Sequence, residues 1–219
     1  SYYPKTAAYM DTMVMEEPIG YRNRPNLDGT YYGVHVRINS IGLRDREIEP
    51  QPGESEFRVL VVGDSVAFGI AVEYEQSIPY RLERILQTEL ADSRWRFRTI
   101  NGGTISYNTE QELIQLKELG LGLGPRLVTL IYAENDIQPK MWVFNKRRAW
   151  HVRVAERSYA ASLVALVSKK LTGLGPIGKI DGRFVAGDPG WIRSAECLTE
   201  INALCREAGI PFVVCTDIS

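Results

Sequence analysis

The segment Phe57-Arg58-Val59-Leu60-Val61-Val62-Gly63-Asp64-Ser65 decides how the rest of the chain is read. An apolar, strand-forming run stops at a glycine, and an acid and a serine follow at once. From about Glu75 the pattern becomes polar with helical spacing, and Leu82, Ile85, Leu86 and Leu90 mark the expected inward face. Ser65 therefore falls where a strand ends and a helix begins. In an open α/β sheet the ligand crevice lies outside the strand carboxyl ends. A helix start also offers unpaired N–H groups and a positive dipole end. A serine oxygen held there is placed to attack a carbonyl and to have the resulting oxyanion stabilised.

Three further strands are expected at about 95–101, 127–133 and 211–216. The run from Leu127 to Ala133 is broken only by Thr129, as in strands buried on both faces of a parallel sheet. Between the runs lie expected helices at about 75–90, from a capping box Thr109-Glu110-Gln111-Glu112 to the glycines at 120, 122 and 124, at about 155–171, and at 189–208 with Gly209 as its stop. The order β-α-β-α-β-α-α-β predicts an α/β fold: a three-layer α/β/α sandwich around a parallel, doubly wound sheet. The chain stops directly after a central-type strand. The expectation is that the sheet is incomplete at its C-terminus and continues beyond Ser219. Residues 1–55 read as an N-terminal extension with one short strand, where Val34, Val36 and Ile38 alternate with His35, Arg37 and Asn39. Residues 50–54 form a linker, and 56–219 the α/β domain.

Composition narrows the function classes. The chain has 219 residues, a formal net charge of -1 and 44% hydrophobic residues, with a sequence pI near 6.2. Nothing favours nucleic acid or an anionic membrane as the main partner. The longest apolar stretch, Tyr159 to Val167, is too short to span a bilayer, which takes roughly 20 residues. Three cysteines make no disulfide framework. Cys197 and Cys205 stand eight positions apart on one expected helix, about 12 Å by helix rise, and Cys215 sits in an apolar strand, so all three read as buried thiols. No His/Cys/Asp cluster has metal-ligand spacing, and neither nucleotide-binding glycine pattern is present. The nucleophile elbow Gly-x-Ser-x-Gly fails because residue 67 is Ala.

Three strand ends carry chemistry: Gly63-Asp64-Ser65, Asn101-Gly102-Gly103 and Ala133-Glu134-Asn135-Asp136. Converging on one sheet edge, they supply a nucleophile, a flexible backbone N–H and a side-chain amide donor. In this order they resemble the blocks of the SGNH hydrolases, also called GDSL-type esterases and acylhydrolases. The segment Val36-Arg37-Ile38-Asn39-Ser40-Ile41-Gly42-Leu43-Arg44 resembles the lead-in of many bacterial members. The resemblance covers about residues 30 to 219. It implies a flavodoxin-like sheet and Ser65 as nucleophile. It also implies an oxyanion hole from the N–H groups of Ser65 and Gly103 and the side chain of Asn135. No cofactor is implied.

The chain departs from the family pattern in three places. Ala133 replaces a glycine of the third block, and Ser106 stands where a second glycine often follows the second block. The family's Asp-x-x-His motif, which carries the base, is missing; the only histidines are His35 and His151. The expectation is a histidine past Ser219. His35 reads as a solvent-facing residue, and recruitment of His151 is a lesser alternative. The chain reads as a serine ester hydrolase acting on a small-molecule, carbohydrate or lipid ester. The alternatives are an O-acyltransferase acting on a carbohydrate and a catalytically silent binding domain of the same fold. Members with this lead-in are often exported or anchored, which implies an extracytoplasmic site. The connection after residue 137, with Met141, Trp142, Phe144 and Trp150 beside Lys146, Arg147 and Arg148, is expected to overhang the crevice or to be an ordinary surface loop.

Overall fold

Four apolar runs pair into one parallel sheet. A computed structural model describes residues 8–138 and 188–216 of the chain. Its elements in chain order are β1 (Val14–Glu16), β2 (Gly20–Arg22), β3 (Asp28–Tyr31), β4 (Val34–Arg37), β5 (Glu56–Gly63), α1 (Ser65–Phe68), α2 (Ile78–Glu89), β6 (Arg96–Gly103), α3 (Thr109–Gln115), β7 (Leu127–Tyr132), α4 (Pro189–Glu207) and β8 (Phe212–Thr216). The sheet order is β6-β5-β7-β8, and every pairing in it is parallel. The register sets Gly63 beside Gly103 on one side and Ile131 on the other. Three chain turns therefore leave the same edge of the sheet.

Successive residues of β5 face opposite layers. Leu60 and Val62 join Ile100, Val128 and Leu130 in a core with Leu113 and Leu116 behind α3 and Cys197, Ile201 and Cys205 of α4. Val59 and Val61 pack on the other face with Ala67 of α1 and with Leu82 and Leu86 of α2. This is the three-layer arrangement that the apolar runs predict.

Helix α2 departs from its expected face. Leu82 and Leu86 pack inward, but Ile85 and Leu90 are exposed. Glu83 is buried instead: Arg46 donates two bonds to it at 2.6 and 2.7 Å, and Thr99 N–H donates at 2.9 Å. Asp45 is buried nearby. It accepts from Asn101 N–H at 2.8 Å, Arg98 at 2.7 Å and Tyr74 O–H at 2.6 Å. Two carboxylates thus take up N–H groups on the outer edge of β6, where a neighbouring strand would bond.

The first 55 residues hold more structure than one strand. β1 and β2 form an antiparallel pair, and β4 forms a hairpin with β3. Tyr9, Met10, Ile19, Tyr21, Val36 and Ile38 build a core with Phe68 of α1 and with Ile105 and Tyr107 after β6. The segment therefore packs against the edge from which the three turns emerge. At the other side of the sheet, β8 is largely exposed, and Cys215 is exposed with it, against the expectation of three buried thiols. Cys197 and Cys205 are buried as expected. The helix expected over 155–171, the bulk of the connection after residue 137, and His151 lie outside the described residues. None of the described helices is long and apolar enough to cross a membrane.

Candidate active site

The strand-to-helix turn after β5 is built around Asp64. Its Oδ1 accepts from Val66 N–H at 2.8 Å, which satisfies one of the free donors at the start of α1. Its Oδ2 accepts from the Ser65 hydroxyl at 3.3 Å. Gly63 adopts φ +151°, where a Cβ would stand 2.8 Å from that of Ala67. Asp64 is buried and Ser65 is half-buried.

Arg44 fixes the far end of α1. It is 1% exposed. Its Nη1 donates to Phe68 O at 3.2 Å and to Gly69 O; its Nη2 donates to Val72 O at 2.8 Å and His35 O at 3.1 Å. A guanidinium suits this task because its planar fork serves several carbonyls at once. Burial lowers the affinity of Arg44 for its proton.

The turn after β6 leans on the first. Thr104 N–H donates to Gly63 O at 3.0 Å. Gly103 packs so tightly on α1 that a Cβ would lie 2.1 Å from Phe68 N and 2.5 Å from Ala67 C. Its own N–H donates to Asn101 Oδ1 at 3.0 Å, and the residue is buried. Asn101 also reaches Phe68 O at 3.3 Å through Nδ2. Gly103 is thus a close-approach residue whose N–H already has an acceptor. Ser106, three residues on, is half-buried and adopts φ +61°. That conformation is uncommon for a side-chain-bearing residue. No described group accepts from its N–H.

The turn after β7 carries Asn135. The residue is half-buried, and its Nδ2 points at Tyr107 O, 3.5 Å away, so its amide faces the same loop as Ser106. Asp136 closes the turn: its Oδ2 accepts from Ala133 N–H at 2.9 Å. Burial pushes the Asp136 carboxyl up to about 8, and the nearby Asp64 charge adds to the rise.

The turns at Ser65, Thr104–Tyr107 and Asn135 therefore share one edge, as the sequence predicts. Ser106, named in the sequence only as a departure from the block where a glycine often stands, lies on this loop. The capping box was misplaced by one residue: Asn108 caps α3 and accepts from Gln111 N–H at 3.0 Å. Glu112 is thereby released from a capping role. His35 lies on the β3–β4 hairpin, its ring bonded to Asp28 at 2.8 Å and exposed. A cavity of about 240 Å³ lies at the opposite, amino-terminal end of β5 and β6, near Glu56, Arg58 and Arg96. Both of those arginines already pair with Glu56, at 2.7 and 3.1 Å, so the cavity offers an anion little free charge.

No family model and no curated protein matches the chain. Solved structures do. The chain is similar to AlinE4, an SGNH-hydrolase family esterase, at 20% identity over 74% of this chain and 59% of that one, with a TM-score of 0.44. It is similar to TesA at 18% identity over 72% and 58%, with a TM-score of 0.41. It is also similar to a GDSL-like lipase from Bacteroides thetaiotaomicron at 16% identity over 75% and 71%, with a TM-score of 0.28. The chain spans less than two thirds of the length of the first two. At this identity the likeness concerns the fold.

Proposed function

We propose that the chain carries the nucleophile and oxyanion site of a carboxylic ester hydrolase of the SGNH type. One observation carries this reading: a half-buried serine at a helix start shares its sheet edge with a primary amide and with an N–H that has no acceptor among the described residues. Ser65 Oγ attacks the ester carbonyl. The N–H groups of Ser65 and Ser106 and the second amide hydrogen of Asn135 hold the oxyanion. Ser106 takes the part that the motif assigned to Gly103, because the Gly103 N–H is bonded to Asn101. A base from outside the described residues takes the serine proton and returns it to the leaving alcohol. Water then releases the acid.

The test is hydrolysis of p-nitrophenyl acetate by the complete protein, alongside labelling by a fluorophosphonate. Ser65→Ala is expected to abolish labelling and serine-dependent turnover. Asn135→Ala is expected to lower kcat by about 10²–10³-fold, the usual cost of losing one oxyanion donor. Equal rates from the native protein and Ser65→Ala would refute the assignment.

A further inference from the structure

Behind the site lie three buried acids with too few donors. Asp64 is 2% exposed, Asp136 2% and Glu112 0%. Both oxygens of Asp64 are bonded, as is Oδ2 of Asp136. Asp136 Oδ1, Glu112 Oε1 and Glu112 Oε2 are buried with no donor among the described residues. A buried acceptor without a partner loses its hydration and regains nothing, at a cost of about 1–3 kcal/mol or more if charged. Thr109, one helical turn before Glu112, bonds Asp136 O, and the Asp136 charge acts on Glu112; two such carboxylates are worse off than one, because like charges add to the desolvation.

We propose that Glu112 carries a proton and donates it to the open oxygen of Asp136, and that this bond makes Glu112 a positioning residue for the Asn135 turn. One proton removes a charge and supplies the missing donor together. Its surroundings agree. Among the described residues, the charged groups acting on Glu112 are Asp136 and Asp64. The charges of Asp136 and Glu112 act on Tyr132 of β7, whose hydroxyl is 2.9 Å from Ser194 Oγ of α4, itself 2.8 Å from Thr109 Oγ1 of α3. Thr109 also donates to Asp136 O at 3.3 Å, so the network closes on the turn that holds Asn135. Among the described residues the acids form no group that could hold a metal ion. Burial raises the Glu112 carboxyl far above the ordinary carboxylate range, and the Asp136 charge raises it further.

The importance of the turn for oxyanion binding rests on the esterase reading; the shared proton does not. The test is therefore made on the fold. Infrared difference spectra at pH 7 should show a protonated carboxyl C=O band that Glu112→Gln removes and Ser65→Ala leaves in place. Denaturant unfolding should be followed from pH 5 to pH 8. In that window the folded pair holds a proton that the unfolded chain has released, so native stability falls as pH rises. The folding constant should drop by up to about tenfold per pH unit for each proton the folded pair retains. Glu112→Gln, whose amide still donates to Asp136 but does not titrate, should lessen that slope by one proton. Asp136→Asn is the second variant if the first fails to fold, and should lessen it likewise. Parallel curves, or a spectrum with no protonated carboxyl, would overturn the proposal even if the serine assay succeeds. A silent serine assay with the band and slope present would leave the proton in place and overturn only the enzyme reading.

Discussion

Replacing Gly103 by alanine should damage the site without touching any reacting group. The new Cβ would stand 2.1 Å from Phe68 N, 2.5 Å from Ala67 C and 2.7 Å from Phe68 Cα, all backbone atoms that no rotamer change can move. Ordinary contact begins near 3.4 Å, so α1 or β6 must retreat by more than about 1 Å in a close-packed interior. Helix α1 cannot slide freely, because Asn101 and Arg44 both hold Phe68 O. Overpacking of this kind costs about 1–3 kcal/mol, and a clash of backbone on backbone belongs at the upper end. A shift near 1 Å at the nucleophile is also worth about 10²-fold in rate. Urea unfolding should show a lower midpoint with an unchanged slope, and fluorophosphonate labelling of Ser65 should slow by about two orders of magnitude. Native stability together with a native labelling rate would show that Gly103 does not set the position of α1, and would refute the reasoning.

Two other substitutions have equally defined outcomes. Arg44→Met deprives the carbonyls of Phe68, Gly69, Val72 and His35 of their shared donor; a loss of about 3 kcal/mol or more is expected in chemical denaturation, and Arg44→Lys should recover little of it because one ammonium cannot span the same fork. At Ser106, φ +61° penalises a β-branched side chain, so Ser106→Val should cost about 1–2 kcal/mol while Ser106→Gly is tolerated, with thermal unfolding as the measurement.

The sheet was legible because β5 and β7 are covered on both faces, and such strands leave continuous apolar runs. The edge with Ser65 and Asn135 was legible because Gly-Asp-Ser and Asn-Asp each follow a run directly. Helix α2 was read less well for a physical reason. Periodicity assigns leucine and isoleucine inward, yet the buried position here is Glu83, whose partners Arg46 and Arg98 lie far away in sequence or on another element. β1 and β2 have three residues each, too short for a period to register. The bond from Gly103 N–H to Asn101 was not legible, because a motif specifies residue type and not which N–H is already bonded. The proton on Glu112 was invisible for a similar reason: a capping box one residue too late hid an acid that belongs to the interior.

The carboxylates at β6 have a consequence for assembly. With Asp45 and Glu83 occupying the outward N–H groups of Asn101 and Thr99, that border of the sheet is closed to any incoming chain. Recruitment of another strand, whether from the same polypeptide or a neighbouring molecule, is therefore directional. It is steered to the β8 border, where the exposed Val213 and Val214 make a solubilising substitution most useful in engineering this protein.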